Sequence, residues 1–213
     1  MILHTVLGLT LVYSVHGKST DTNCNAAYVR WPDASLDKVP HLKGTFALKE
    51  CENACTNRYH PKNRQVKIPC AAFSYHQATT TSSSDCRFFK NDDVIHIDRD
   101  VISRRDYDLF RKHCTPRPFN CHSVHQFTLT VDSYIDPTLI RRVVTADSIE
   151  SCFSMCFDEK SFECRSISHN RTANTCSLSD SSGSLKPNAM KLNVDPNYRI
   201  DYYENNCDIH SNF

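Results

Sequence analysis

The sequence has almost no net charge, few glycines, no long apolar run beyond its first residues and none of the common catalytic signatures. Lys and Arg number 25 against 24 Asp and Glu, a formal +1. Whole-chain electrostatics therefore suggest neither a nucleic-acid binder nor a polyanion. Away from the N-terminus no apolar stretch reaches the roughly 18 residues of a membrane helix, so no transmembrane span is expected. Hydrophobic residues make up 39% of the 213, and two domains of about 90 residues each would have thin cores that gain from covalent staples. There is no Gly-x-Ser-x-Gly nucleophile turn and no His-Glu-x-x-His motif. Acids such as Asp92 and Asp93 are adjacent rather than facing. No enzyme activity and no cofactor are expected. Glycine stops at 4, whereas cysteine reaches 12, and the cysteines organise the chain.

Residues 1–17 read as a secretory signal peptide: an apolar run from Val6 to Tyr13 leads to Val15 and Gly17, a small-residue cleavage site. A secreted chain with an even cysteine count implies disulfides. The cysteines fall into two sets, 24, 51, 55, 70, 86, 114 and 121, 152, 156, 164, 176, 207. Each set has a long gap, a three-residue gap, two medium gaps and a long gap. This repeated plan implies two copies of one domain, 24–114 and 121–207, joined at 115–120. The connection holds Pro116 and Pro118 and should be short and stiff, limiting the angles between domains.

Cys51 and Cys55, like Cys152 and Cys156, are four apart and share one face of a helix. The second helix has Asp147 as its expected cap, with Glu150 three residues on. Its face reads Ile149, Cys152, Phe153, Cys156, Phe157. Phe73 and Ile167 sit at equal offsets after Cys70 and Cys164, and the alternation around them suggests strands with one buried face. Phe127, Leu129 and Val131 alternate with threonines as a half-exposed strand would. His76–Asp85 and Ser179–Asn197 read as loops.

Cys-x3-Cys, the strand Cys70-x-x-Phe73-x-Tyr75, the run Cys86-Arg87-Phe88 and the closing Tyr202-Tyr203-Glu204-Asn205-Asn206-Cys207 resemble the PAN/Apple domain. The second copy departs by having Ile167 and His169 where Phe and Tyr are usual. The resemblance implies an α+β fold: two small disulfide-rich domains, each an antiparallel sheet crossed by one helix. It also implies nested bonds, Cys24–Cys114, Cys51–Cys86, Cys55–Cys70, Cys121–Cys207, Cys152–Cys176 and Cys156–Cys164. Spacing alone leaves 15 pairings open per domain. Eleven histidines, including His122 and His125, raise zinc as a rival, but thiolate zinc sites belong mostly to reducing compartments and the family pairs every cysteine. No metal is expected.

Charge is divided unevenly. Residues 18–114 hold 16 Lys and Arg against 12 acids, whereas 115–213 hold 9 against 12. The loop from Thr56 to Pro69 contains Arg58, Lys62, Arg64 and Lys67 and no acid. Its counterpart, Phe157 to Glu163, is half as long and holds three acids. Such clustered cations attract sulfated polysaccharide or an acidic protein face. Arg104, Arg105, Arg111 and Lys112 form a second candidate patch. Asn170-Arg171-Thr172 is a glycosylation sequon, and the Thr79–Ser84 run is a candidate for O-linked sugar. The expectation is a secreted, non-catalytic binding or adhesion protein that contacts an extracellular protein or glycosaminoglycan. Similar modules occur in invertebrate extracellular-matrix proteins. The alternative is a self-associating structural component of matrix or cuticle, with opposite domain charges favouring head-to-tail contact.

Overall fold

The computed structural model describes residues 24–77, 84–115, 121 and 123–207. The signal-peptide stretch, residues 116–120 of the connection and residues 78–83 of the Thr/Ser run lie outside them. The first copy runs β1 (Asn25–Trp31), β2 (Ala34–Leu36), β3 (Leu42–Gly44), α1 (Leu48–Asn57), β4 (Tyr59–His60), β5 (Asn63–Lys67), β6 (Ala72–His76), β7 (Asp85–Phe89), α2 (Asn91–Val94), α3 (Ile97–Asp100), β8 (Val101–Ser103) and β9 (Tyr107–Thr115). The second runs β10 (Phe127–Thr130), β11 (Ser133–Ile135), a 3-10 turn (Pro137–Leu139), β12 (Arg142–Thr145), α4 (Ile149–Asp158), β13 (Ser166–Asn170), β14 (Thr175–Ser179), β15 (Met190–Leu192) and β16 (Ile200–Asn205).

Ten strands form one sheet in the order β12-β14-β13-β16-β10-β1-β9-β6-β7-β3. Within each copy the neighbours are antiparallel. The copies meet at β1 and β10, which pair in parallel with Val29 opposite Phe127 and Arg30 opposite Thr128. Gln126 extends this ladder: its backbone N–H donates to the Tyr28 carbonyl at 3.0 Å, and its side-chain Oε1 accepts from the Tyr28 N–H at 2.6 Å. The domains expected to be held by a stiff connection are thus also held by a shared sheet.

Each helix covers a different face of that sheet. Tyr28, Phe73, Phe88 and Phe110 pack with Cys51 and Cys55 of α1. Val29, Phe127, Leu129 and Ile167 pack with Cys152, Phe153 and Cys156 of α4. Successive strand residues point to opposite faces, so Tyr28 and Val29 carry α1 and α4 on opposite sides. Tyr202 and Tyr203 divide the closing strand in the same way: Tyr203 joins the α4 core, and Tyr202 packs with Ile135 and Ala189 on the far face.

The six disulfides are Cys24–Cys114, Cys51–Cys86, Cys55–Cys70, Cys121–Cys207, Cys152–Cys176 and Cys156–Cys164. Each helix is thereby bonded to its own module, and the outermost bond of each set joins the two ends of its copy.

Four local expectations need correction. The cap of α4 is Ser148, whose hydroxyl accepts from Ser151 N–H; Asp147 accepts from the Ser151 hydroxyl instead. Strand β10 ends at Thr130, and Val131 stands 53% exposed beyond it. The central strands β6 and β13 are covered on both faces rather than one. Their second face is masked in the sequence by serines that bury their hydroxyls in hydrogen bonds: Ser74 with Ser35 at 2.8 Å, and Ser168, which accepts from Ile135 N–H at 2.8 Å. Finally, the Ser179–Asn197 stretch contains β15, which pairs with β11 and packs that second face.

Candidate functional site

The basic loop of the first copy folds as a hairpin. Helix α1 ends at Arg58, whose backbone is left-handed (φ 58°, ψ 38°) while its N–H donates to the Ala54 carbonyl. This region favours glycine, so a cation stands here at a backbone cost. The chain then turns into β4 and β5, with Tyr59 opposite Lys67 and His60 opposite Asn63. Ile68 N–H donates to the Arg58 carbonyl at 2.9 Å and closes the hairpin. Ile68 is buried and the Phe46 ring meets His60 edge-on at 5.9 Å, so the hairpin is anchored at its base only.

Lys62, Arg64 and Lys67 are exposed and Arg58 is half-buried. None of the four has a carboxylate within ion-pair distance among the described residues. Lys62 Nζ lies 5.4 Å from the Phe46 ring centroid, which holds it over the hairpin base. Arg64 and Lys67 leave opposite faces of β5. Arg64 borders a shallow hollow of about 670 Å³ between the hairpin and α1, where Glu50, Asn53 and Asn57 form the helical wall. The four cations form a raised positive rim around the hairpin rather than one flat face.

The matching position in the second copy has another character. After α4, Glu159 folds back on its own turn, accepting from Lys160 N–H, Ser161 N–H and the Ser161 hydroxyl and pairing with Arg142 at 3.1 Å. These donors, the Ser161 hydroxyl foremost, lower its pKa to about 2. Glu163 pairs with Arg165. The negative charge of this loop is already engaged.

The second candidate patch does not assemble. Arg104 stacks on Tyr107 at 4.5 Å, Arg105 is exposed, and Lys112 Nζ donates to the Cys55 carbonyl at the end of α1. Arg111 leaves the opposite face of β9 and enters a cleft under α4. Asn170 ends β13, and its Oδ1 accepts from Thr172 and Ala173 N–H in the β13–β14 turn. Among the described residues no group of three or more His, Cys, Asp or Glu is placed to hold a metal.

Sequence reasoning missed the cleft, of about 300 Å³, at the junction of the copies. Trp31, Arg111 and His113 come from the first copy, Glu150, His169, Arg171, Asp201 and Tyr203 from the second. His113 Nδ1 meets Glu150 Oε1 at 2.6 Å, a bond across the junction that takes Glu150 away from any capping role. Burial pushes the His113 pKa down despite this partner. Arg171 pairs with Asp201 at 2.8 Å. His169 is 5% exposed, and burial is the main cause lowering its pKa. The available signal was His169 itself, standing where the resemblance leads one to expect tyrosine.

A family profile described as PAN domain matches residues 24–114 and again 121–207. Protein let-653 of Caenorhabditis elegans is 35% identical over 207 residues, covering 96% of this chain and 26% of that protein. The chain therefore spans about a quarter of the length of the curated relative it matches.

Proposed function

Because the chain belongs to the PAN domain family, we propose that it is a secreted, non-catalytic binding protein of two modules, 24–114 and 121–207, that attaches to sulfated polysaccharide through the first module's hairpin. Modules of this family mediate protein or carbohydrate contacts, and six disulfides are the covalent pattern of secreted and extracellular proteins. The observation that carries the reading is the hairpin rim of exposed Lys62, Arg64 and Lys67 with half-buried Arg58, none with a carboxylate partner among the described residues. Clustered cations of this kind attract a polyanion with a strength that falls as salt rises. The hairpin follows directly on α1, which two disulfides bond to the first module, and this covalent tether at its base lowers the ordering cost of binding. In this reading residues 1–17 are a signal peptide, and Asn170 carries N-linked sugar where β13 enters the β13–β14 turn, away from the hairpin in sequence and in module.

The test is a calorimetric titration with a size-defined heparin oligosaccharide. Binding that weakens with added salt and disappears when Arg58, Lys62, Arg64 and Lys67 are all changed to Ser supports the assignment. Unchanged binding by that variant removes it.

A self-associating matrix component is the second reading, favoured by the opposite charge excess of the two halves. Light scattering at low and high salt separates them, since charge-driven head-to-tail contact yields oligomers that salt dissolves.

A further inference from the structure

We infer that the β4–β5 hairpin of one molecule docks into an apolar hollow at the module junction of a second copy of this chain, an inference that rests on the self-association reading above and names its two surfaces. The hollow, of about 630 Å³, lies between the β2–β8 pair of the first module and the β10–β11 turn of the second. Its apolar wall is Trp31, Ile102, Leu129 and Val131, of which Ile102 and Val131 are exposed.

Two carboxylates flank this wall without a cation. Asp33 and Asp132 occupy the equivalent turns after β1 and β10, both exposed and both left-handed, with φ 50° and 48°. Neither has an ion pair among the described residues, and the Asp33 carboxylate accepts from the Asp106 N–H at 3.4 Å. The third acid of the wall, Asp201, is paired with Arg171, and the two charges offset each other. In the β8–β9 turn Arg104 stacks on Tyr107 at 4.5 Å, and neither it nor Arg105 lines the hollow. The charge left over is negative and borders apolar surface. Such a site suits a cation carried beside an apolar side chain.

The hairpin offers that combination. Tyr59 and Val66 are exposed. Tyr59 stands opposite Lys67 in the β4–β5 ladder, and Val66 leaves the same face of β5 as Arg64. Every residue of β5 is exposed, so the strand is open to a partner. Each surface holds what the other lacks, and one molecule cannot join its own two. Trp31 and Leu129 pack in the α4 core, so the hollow opens on the α4 side of the sheet. Ile68, at the base of the hairpin, packs in the α1 core on the opposite side. The contact is therefore head-to-tail and passes from one molecule to the next.

Analytical ultracentrifugation of the full chain at low salt tests the contact. The wild-type mass should rise with concentration and return to that of one chain at about 0.5 M salt. A hollow variant carries Asp33→Asn and Asp132→Asn, and asparagine tolerates the left-handed backbone of both turns. A hairpin variant carries Lys62, Arg64 and Lys67 changed to Ser. Each variant alone should associate at least about tenfold more weakly than wild type. Mixed in equal amounts, they should form a dimer and stop there, since one keeps the hairpin and the other keeps the hollow. An unchanged near-ultraviolet circular dichroism spectrum of each variant keeps loss of fold out of the result. A wild type that is monomeric at every concentration overturns this inference and the self-association reading together. Oligomers that survive in either variant, or variants that stay monomeric when mixed, overturn the inference alone.

Discussion

His125 reports directly on the junction between the modules. It lies just before β10 and meets the Phe110 ring of the first module edge-on, with ring centroids 5.9 Å apart. Its Nδ1 is buried without a hydrogen-bond partner. Burial, followed by the positive charge of Arg30, pushes its pKa from 6.5 down to about 4, with Asp108 opposing. The folded protein therefore keeps this ring neutral at pH values where the unfolded chain protonates it. The contribution to stability is fully present above the unfolded value near 6.5 and is lost as pH falls toward about 4. A gap of about 2.5 between these values, at about 1.4 kcal/mol per pH unit, sets a ceiling of about 3.5 kcal/mol. The ring keeps some contact with solvent, which reduces the expected loss to about 2 kcal/mol. The perturbation is His125→Gln, which removes the titrating group. The assay is denaturant unfolding of both proteins between about pH 7 and pH 4.5. The wild type should lose about 2 kcal/mol more than the variant across that range. His113 and His169 are also pushed down by burial, but they are present in both proteins and cancel in the comparison. Parallel stability curves would refute the reasoning.

Three further predictions rest on single side chains. Phe153 stacks on Phe127 at 4.2 Å and meets Tyr203 and His113 edge-on; Phe153→Ala should cost about 3–5 kcal/mol in denaturant unfolding, and a cost below about 1 kcal/mol would contradict the packing described. Ser148→Ala should cost about 1 kcal/mol through loss of the α4 cap, whereas Asp147→Ala should cost less than half of that, measured by melting temperature. Arg58→Gly relieves a left-handed backbone while deleting a cation, so it should raise stability by about 0.5–1 kcal/mol and yet weaken heparin binding. If the variant keeps full affinity, Arg58 is not part of the rim.

The cysteines made most of the fold legible, because a six-cysteine plan repeated twice points to two copies, and the family resemblance adds the nested bonds. The helices were legible for a similar reason: Cys51 and Cys55, or Cys152, Phe153 and Cys156, recur at helical spacing on one face. What the sequence hid was contact between the copies. Nothing in Val29 or Phe127 announces a parallel pairing, since both residues would suit any half-buried strand. Buried serines hid the second face of β6 and β13, because hydroxyls that satisfy each other look in sequence like solvent-facing residues. The Glu150 position was misread for a related reason: its place three residues after Asp147 fits a capping box, but in the fold a buried histidine from the other module lies within reach. The hairpin was legible as charge and length alone. Its shape depends on Phe46 and Ile68, which anchor it at the base.

The most direct test of the account is salt elution from a heparin column of three proteins side by side. The first is the wild type. The second has Arg58, Lys62, Arg64 and Lys67 changed to Ser. The third loses the same charge elsewhere, through Lys90, Arg105, Lys160 and Lys186 changed to Ser, all four exposed in the fold. If the hairpin is the attachment site, the wild type and the third protein elute together well above physiological salt, and the second does not bind. If the second and third proteins shift equally, retention follows net charge alone and the hairpin is not a site.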